Sequence, residues 1–271
     1  MSTAPKHGST ASPTHEMLPV LVLQGMSAAT SRAAVSYQFA RPPGVADLQA
    51  VSDAMQPLAD AAMRGAFSGS GPAGPGTMAV LGPAVLSSAA CARQQLQLCN
   101  VDERAFQLLR GMVARLRSEK VLVDSIQVVD MEHANAQPVQ PDWPDEDNEE
   151  VAYPVPGARA TALLAFEDTD FSKVRRCLVE VDNRLFPDQV TRFAAWVQPW
   201  YALLEAGAFA MPVGHPAVTD SIAGFVSHFD PVTIEVSVDR FMASECAWGI
   251  LANMVCAFDW QPRTLAGISV D

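Results

Sequence analysis

The chain has 271 residues, 49% of them hydrophobic and only 7% aromatic, which suits one large core or two ordinary ones and excludes a disordered or fibrous chain. A formal net charge of −12 and an isoelectric point near 4.8 set an average field that repels phosphate backbones and anionic membranes. Neither nucleic acid nor a membrane is therefore an expected partner, and a basic protein is the better electrostatic match.

Residues 1–17 are rich in Ser, Thr, Ala and Pro, the composition of a disordered tail. The apolar run Leu18–Leu23 is too short for a secretory core and follows Glu16 rather than a basic cluster. No stretch approaches the length of a bilayer span, so a cytoplasmic chain is expected. The five cysteines, Cys91, Cys99, Cys177, Cys246 and Cys256, are scattered and form no Cys-x-x-Cys pair. They point to a reducing compartment without a disulfide framework.

A first α+β unit is expected over 18–130. Ala33–Phe39 reads as a strand, and Val45, Leu48, Val51, Met55, Leu58 and Ala62 then recur at steps of three and four, the stripe of an amphipathic helix. Pro57 should kink that helix, and Gly65 stands where it would stop on a left-handed residue. Gly69-Ser-Gly71-Pro-Ala-Gly74 spells a dinucleotide fingerprint, but Pro72 removes one of the amides that a pyrophosphate needs and no acid follows at the ribose distance. A hairpin tip explains it better, and no cofactor is expected. Leu96–Asp102 reads as a strand, Ala105–Glu119 as a helix and Val121–Asp130 as a closing strand.

Residues 131–159 have the composition of an acidic, proline-containing linker. Seven acids (Glu132, Asp142, Asp145, Glu146, Asp147, Glu149 and Glu150) against one base, Arg159, give −6, half the net charge of the chain. Trp143 stands among them, flanked by proline and acids, where a large ring has little core of its own to enter.

A second unit is expected over 160–271. It opens with a strand, Ala160–Phe166, and then an added helix, because Phe171, Val174, Leu178, Val181 and Leu185 again step by three and four. Val190, Phe193, Val197, Trp200 and Leu204 mark its first counterpart helix, Thr233–Asp239 a strand, Ala243–Phe258 a helix and Thr264–Asp271 a closing strand. Gln56-Pro57 and Gly65-Ala66-Phe67 match Gln198-Pro199 and Gly207-Ala208-Phe209 with identical spacing. The expected fold is thus α+β: two tandem ferredoxin-like (βαββαβ) repeats forming a pseudo-twofold pair, the second with an extra helix. Its last helix is apolar on nearly every side and must be covered by the added helix, the other unit or a second subunit, which would make a homodimer.

Candidate chemistry is sparse. The five histidines, His7, His15, His133, His215 and His228, lack metal-ligand spacing, although Glu132-His133 and His228-Phe-Asp230 each place an acid near a ring, and no metal is expected. Asp102 and Asp239 each end a strand before a helix, where a carboxylate caps exposed amides. No nucleophile elbow, zinc helix or phosphate loop is present. The sequence therefore leads first to a non-enzymatic protein-binding role, an acidic inhibitor or immunity-type partner of a basic protein. Trp143, Asp142, Asp145, Glu146, Asp147, Glu149 and Glu150 would form its contact. The alternative is a small-molecule-binding protein or enzyme with a cleft between the repeats, where Asp102, Asp239 and His228 would be the polar groups.

Overall fold

The structure, a computed structural model, describes residues 18–67, 76–141, 175–209, 224–238 and 246–270. Strand β1 spans Val20–Gln24 and β2 spans Arg32–Phe39. Ala33, Val35, Tyr37 and Phe39 are buried at every second position of β2, whereas Arg32 and Gln38 are exposed, the alternation of a sheet with one solvated face. Helix α1, Val45–Ala62, buries Val51, Met55, Leu58 and Ala62 and runs through Pro57. It ends as the spacing predicts, on Gly65 with φ of 80°. Strands β3 (Thr77–Val80), β4 (Val85–Ser88) and β5 (Cys91–Cys99) follow. Next come helix α2 (Arg104–Arg115), a turn of 3₁₀ helix, then β6 (Val123–Asp130) and β7 (Pro138–Val139). These strands form one sheet in the order β3-β5-β2-β6-β1-β7, with β4 also paired to β5.

The second sheet is built from β8 (Arg175–Val181), β9 (Gly224–Asp230), β10 (Thr233–Val238) and β11 (Leu265–Val270), in the order β11-β8-β10-β9. Helix α3 (Pro187–Glu205) lies between β8 and β9, and α4 (Cys246–Ala257) between β10 and β11. The chain is mixed α+β, with four α-helices and two sheets among the described residues. The path β6-β2-β5-β3 in the first sheet, with β4 following β3 in the chain before β5, has the same order relative to the helices as β11-β8-β10-β9 in the second.

The expected added helix is corrected. Residues 175–181 are strand β8, central in its sheet and paired antiparallel to both β10 and β11. Cys177, Val179 and Val181 are buried at a period of two, and the steps of three and four that suggested a helix skip over that alternation. The strand expected at 160–166 lies outside the described residues. Three short strands escape a reading by pattern: β1, parallel to β6; β4, paired to β5; and β7, which pairs with β1 from within the stretch that reads as linker.

The two units meet through their helices, with α1 packed on α3. The chain turns at the ends of α1 and α3 are gripped reciprocally. Asn253 of α4 donates to the Ala66 carbonyl at 3.0 Å, while Gly111 of α2 lies so close to the Ala208 carbonyl that a Cβ there would come within 2.7 Å of it. Ala66 and Ala208 stand 142 positions apart, and Gly111 and Asn253 stand the same 142 apart. Arg64 adds a hydrogen bond to the Ala195 carbonyl and lies 5.2 Å from the centroid of the Trp196 ring. Helix α4 buries Trp248, Ile250, Leu251, Met254 and Val255, and the Trp196 and Trp200 indoles donate to the Met254 and Ala247 carbonyls, each at 2.8 Å. Its all-round apolarity is thus answered within one chain.

Candidate functional site

Helix α3 begins at a defined place because its first turn is tied in twice. Pro187 occupies the first turn, and the Phe186 amide donates to Gln189 Oε1 at 3.0 Å, closing a capping box. Gln189 is buried, and its Nε2 donates to the Trp260 carbonyl at 3.1 Å, fastening the loop before β11 to the start of the helix. Phe193, Phe258 and Trp260 pack beneath with ring centroids 4.7 to 5.3 Å apart. The Arg263 amide closes the loop on the Trp260 carbonyl at 2.7 Å.

Beside this anchored corner lies a cleft of about 550 Å³ lined by Arg184, Leu185, Phe186, Pro187, His228, Asp230, Pro231 and Arg263. Three separate segments converge there: the β8–α3 loop, the end of β9 with its turn into β10, and the loop before β11. The Leu185 amide donates to the Pro231 carbonyl at 2.8 Å and holds two of them together. Arg263 donates through Nε to the Arg184 carbonyl at 2.8 Å, and its guanidinium sits 4.6 Å from the Phe186 ring centroid. Asp230 serves its own turn, accepting from the Val232 amide at 2.8 Å. That bond, outweighing the cost of burial and aided by Thr233, holds its carboxyl below the ordinary carboxylate value.

Of the residues singled out from the sequence, His228 belongs to this cleft. Asp102 does not. It stands before α2 in the first unit, where Oδ1 accepts the Arg104 amide at 3.0 Å and Oδ2 pairs with the Arg104 guanidinium. Asp239, Asp142, Trp143, Asp145, Glu146, Asp147, Glu149 and Glu150 lie outside the described residues, as does the glycine-rich loop 69–74. Where the helices of the two units face one another, Gly111 and Ala208 are in direct backbone contact rather than across a cleft.

A second polar cluster sits at the end of β6. Asp130 is 2% exposed and accepts from Thr30 Oγ1 at 3.0 Å, the Glu132 amide at 2.8 Å and His133 Nδ1 at 2.9 Å. Burial alone would raise its pKa. The hydrogen bonds from His133, Glu132 and Thr30, with the charge on the imidazole, outweigh that and hold the carboxyl below the usual range. The histidine's acid partner is thus Asp130, three residues back, rather than the adjacent Glu132. Among the described residues no group of three or more His, Cys, Asp or Glu side chains is disposed to hold a metal ion, and no helix is long and apolar enough to cross a membrane.

No protein-family model matches the chain, and no curated protein matches it. Pattern reasoning missed Arg184, Phe186 and Arg263. Their only sequence signal is Arg-Leu-Phe-Pro at a helix start, which does not announce that Arg263 will join it from 79 residues away.

Proposed function

We propose that the chain is a cytoplasmic, non-enzymatic binding protein made of two tandem ferredoxin-like repeats, which engages a basic protein as an inhibitor or immunity-type partner does. The shared strand order of the two units and the reciprocal Gly111–Ala208 and Asn253–Ala66 contacts support the duplication. The observation that supports binding most is strand β9. It is the last described strand of its sheet, bonded on one side to β10, and it carries Phe225 and Phe229 at 59% and 54% exposure. Among the described residues no strand pairs with the other side of β9, although the Phe225 carbonyl accepts from Tyr201 and Ser237. An edge strand of this kind can accept an added strand, and exposed aromatics anchor protein interfaces. The acidic stretch with Trp143 would steer a basic partner toward it and speed association.

The test uses the partner recovered with the full chain from its host. Phe225→Ser with Phe229→Ser should weaken binding about tenfold or more, as loss of interface anchors does. Neutralising Asp142, Asp145, Glu146, Asp147, Glu149 and Glu150 to their amides should flatten the salt dependence of association. Binding unchanged by both sets would sink the proposal.

A further inference from the structure

The cleft beside Gln189 stands apart from the protein-binding reading and carries a different chemistry. We infer that it binds a small organic oxyanion, a carboxylate or phosphate group borne on a flat apolar body. Two arginines, Arg184 and Arg263, line it together with His228. Among the described residues neither arginine makes an ion pair, although the chain carries a net charge of −12. Of the acids nearby, Asp230 itself lines the cleft as a carboxylate, and each has one oxygen turned to a backbone amide. Asp230 accepts the Val232 amide, and Asp182 accepts the Thr264 amide at 3.0 Å.

Arg263 is held by its Nε on the Arg184 carbonyl and by the face of Phe186, which orients the fork and leaves its terminal nitrogens for a ligand. A planar fork held in this way matches the two oxygens of a carboxylate or phosphate, and part of the ordering cost is met before binding. Phe186, Pro187 and Pro231 supply an apolar wall over the buried Leu185. A volume near 550 Å³ lies within the range of small-ligand sites, about 300–1,000 Å³. Gln189 is the positioning residue, since it joins the two walls through the Phe186 amide and the Trp260 carbonyl.

Titration of the full chain by calorimetry and by NMR tests this with three probes: benzoate, its neutral isostere benzamide, and inorganic phosphate. Benzoate should bind at least about tenfold more tightly than benzamide, because the arginines recognise the charged oxygens. Arg184→Gln should lower benzoate affinity by about tenfold, with Arg263→Gln lowering it at least as much. Arg184 is the decisive variant, because its exposed side chain can be changed without removing the bond that Arg263 makes to its carbonyl. Phosphate binding more tightly than benzoate, with the same dependence on Arg184, supports the site and assigns the ligand to phosphate esters. Equal affinity for benzoate and benzamide, absence of binding by benzoate and phosphate alike, or affinities indifferent to Arg184→Gln would overturn the assignment.

Discussion

Gly111→Ala sets two known effects against each other, and the structure decides the sign. In the interior of an ordinary helix the change stabilises by about 1 kcal/mol, since alanine loses less backbone freedom than glycine. In α2 the new Cβ would lie 2.7 Å from the Ala208 carbonyl oxygen and 3.0 Å from that of Gly207. Both are backbone atoms in the turn that ends α3, and Gly207 is fixed there at a φ of 74° with the Arg115 side chain packed against it. Such atoms do not yield as the tip of a flexible side chain would. Forcing a methyl group into a packed contact costs about 1–3 kcal/mol, and the unrelieved backbone clash puts this site at the upper end. The net expectation is a loss of about 1–2 kcal/mol in urea unfolding, or several degrees in melting temperature for a chain of this size. Gly82→Ala is the control, because a Cβ there meets nothing within 4 Å and its effect should stay within about 0.5 kcal/mol. A Gly111→Ala protein as stable as the parent, or more so, would refute the packing of the two units through α2 and the end of α3.

Three further outcomes follow from named contacts. Asn253→Ala removes the reciprocal bond to the Ala66 carbonyl and should cost about 1 kcal/mol in the same urea assay. Asp130→Asn should destabilise the chain at neutral pH. Because the folded carboxyl titrates below its unfolded value of about 3.9, its contribution is present above that pH and fades as the pH falls through the folded value. The stability difference between parent and variant should therefore be present at about pH 5 and shrink below about pH 4, and a difference independent of pH would contradict the assignment. Burial pushes the Cys256 thiol up to about 12, so at pH 8 iodoacetamide should modify the exposed Cys99 first and reach Cys256 and the buried Cys177 only on unfolding, as peptide mass mapping would read out.

What the sequence made legible is what is repeated or strongly periodic. The stripes from Val45 to Ala62 and from Val190 to Leu204 are helices, and the matched Gly65 and Gly207 both adopt the left-handed conformation that stops them. The misread segment, 175–181, is one where Cys177, Val179 and Val181 alternate within a stretch whose apolar residues also fit helical steps. Its two-sided pairing with β10 and β11 decides for a strand, and no local signal carries that information. β7, two residues long, is fixed by its pairing with β1 rather than by any pattern of its own. The cleft was out of reach for a related reason. His228 stands out in the sequence for the acid two residues on, Asp230, whereas Arg184, Phe186 and Arg263 acquire meaning only when three segments are folded together by Gln189 and the Arg263–Arg184 bond.

The most direct test of the binding account is amide hydrogen exchange on the full chain, with and without the partner recovered from its host. Amides of Gly224–Asp230 that face away from β10 should gain protection in the complex, because an added strand would take up their hydrogen bonds. Protection of another surface with β9 exchanging as in the free protein would contradict it.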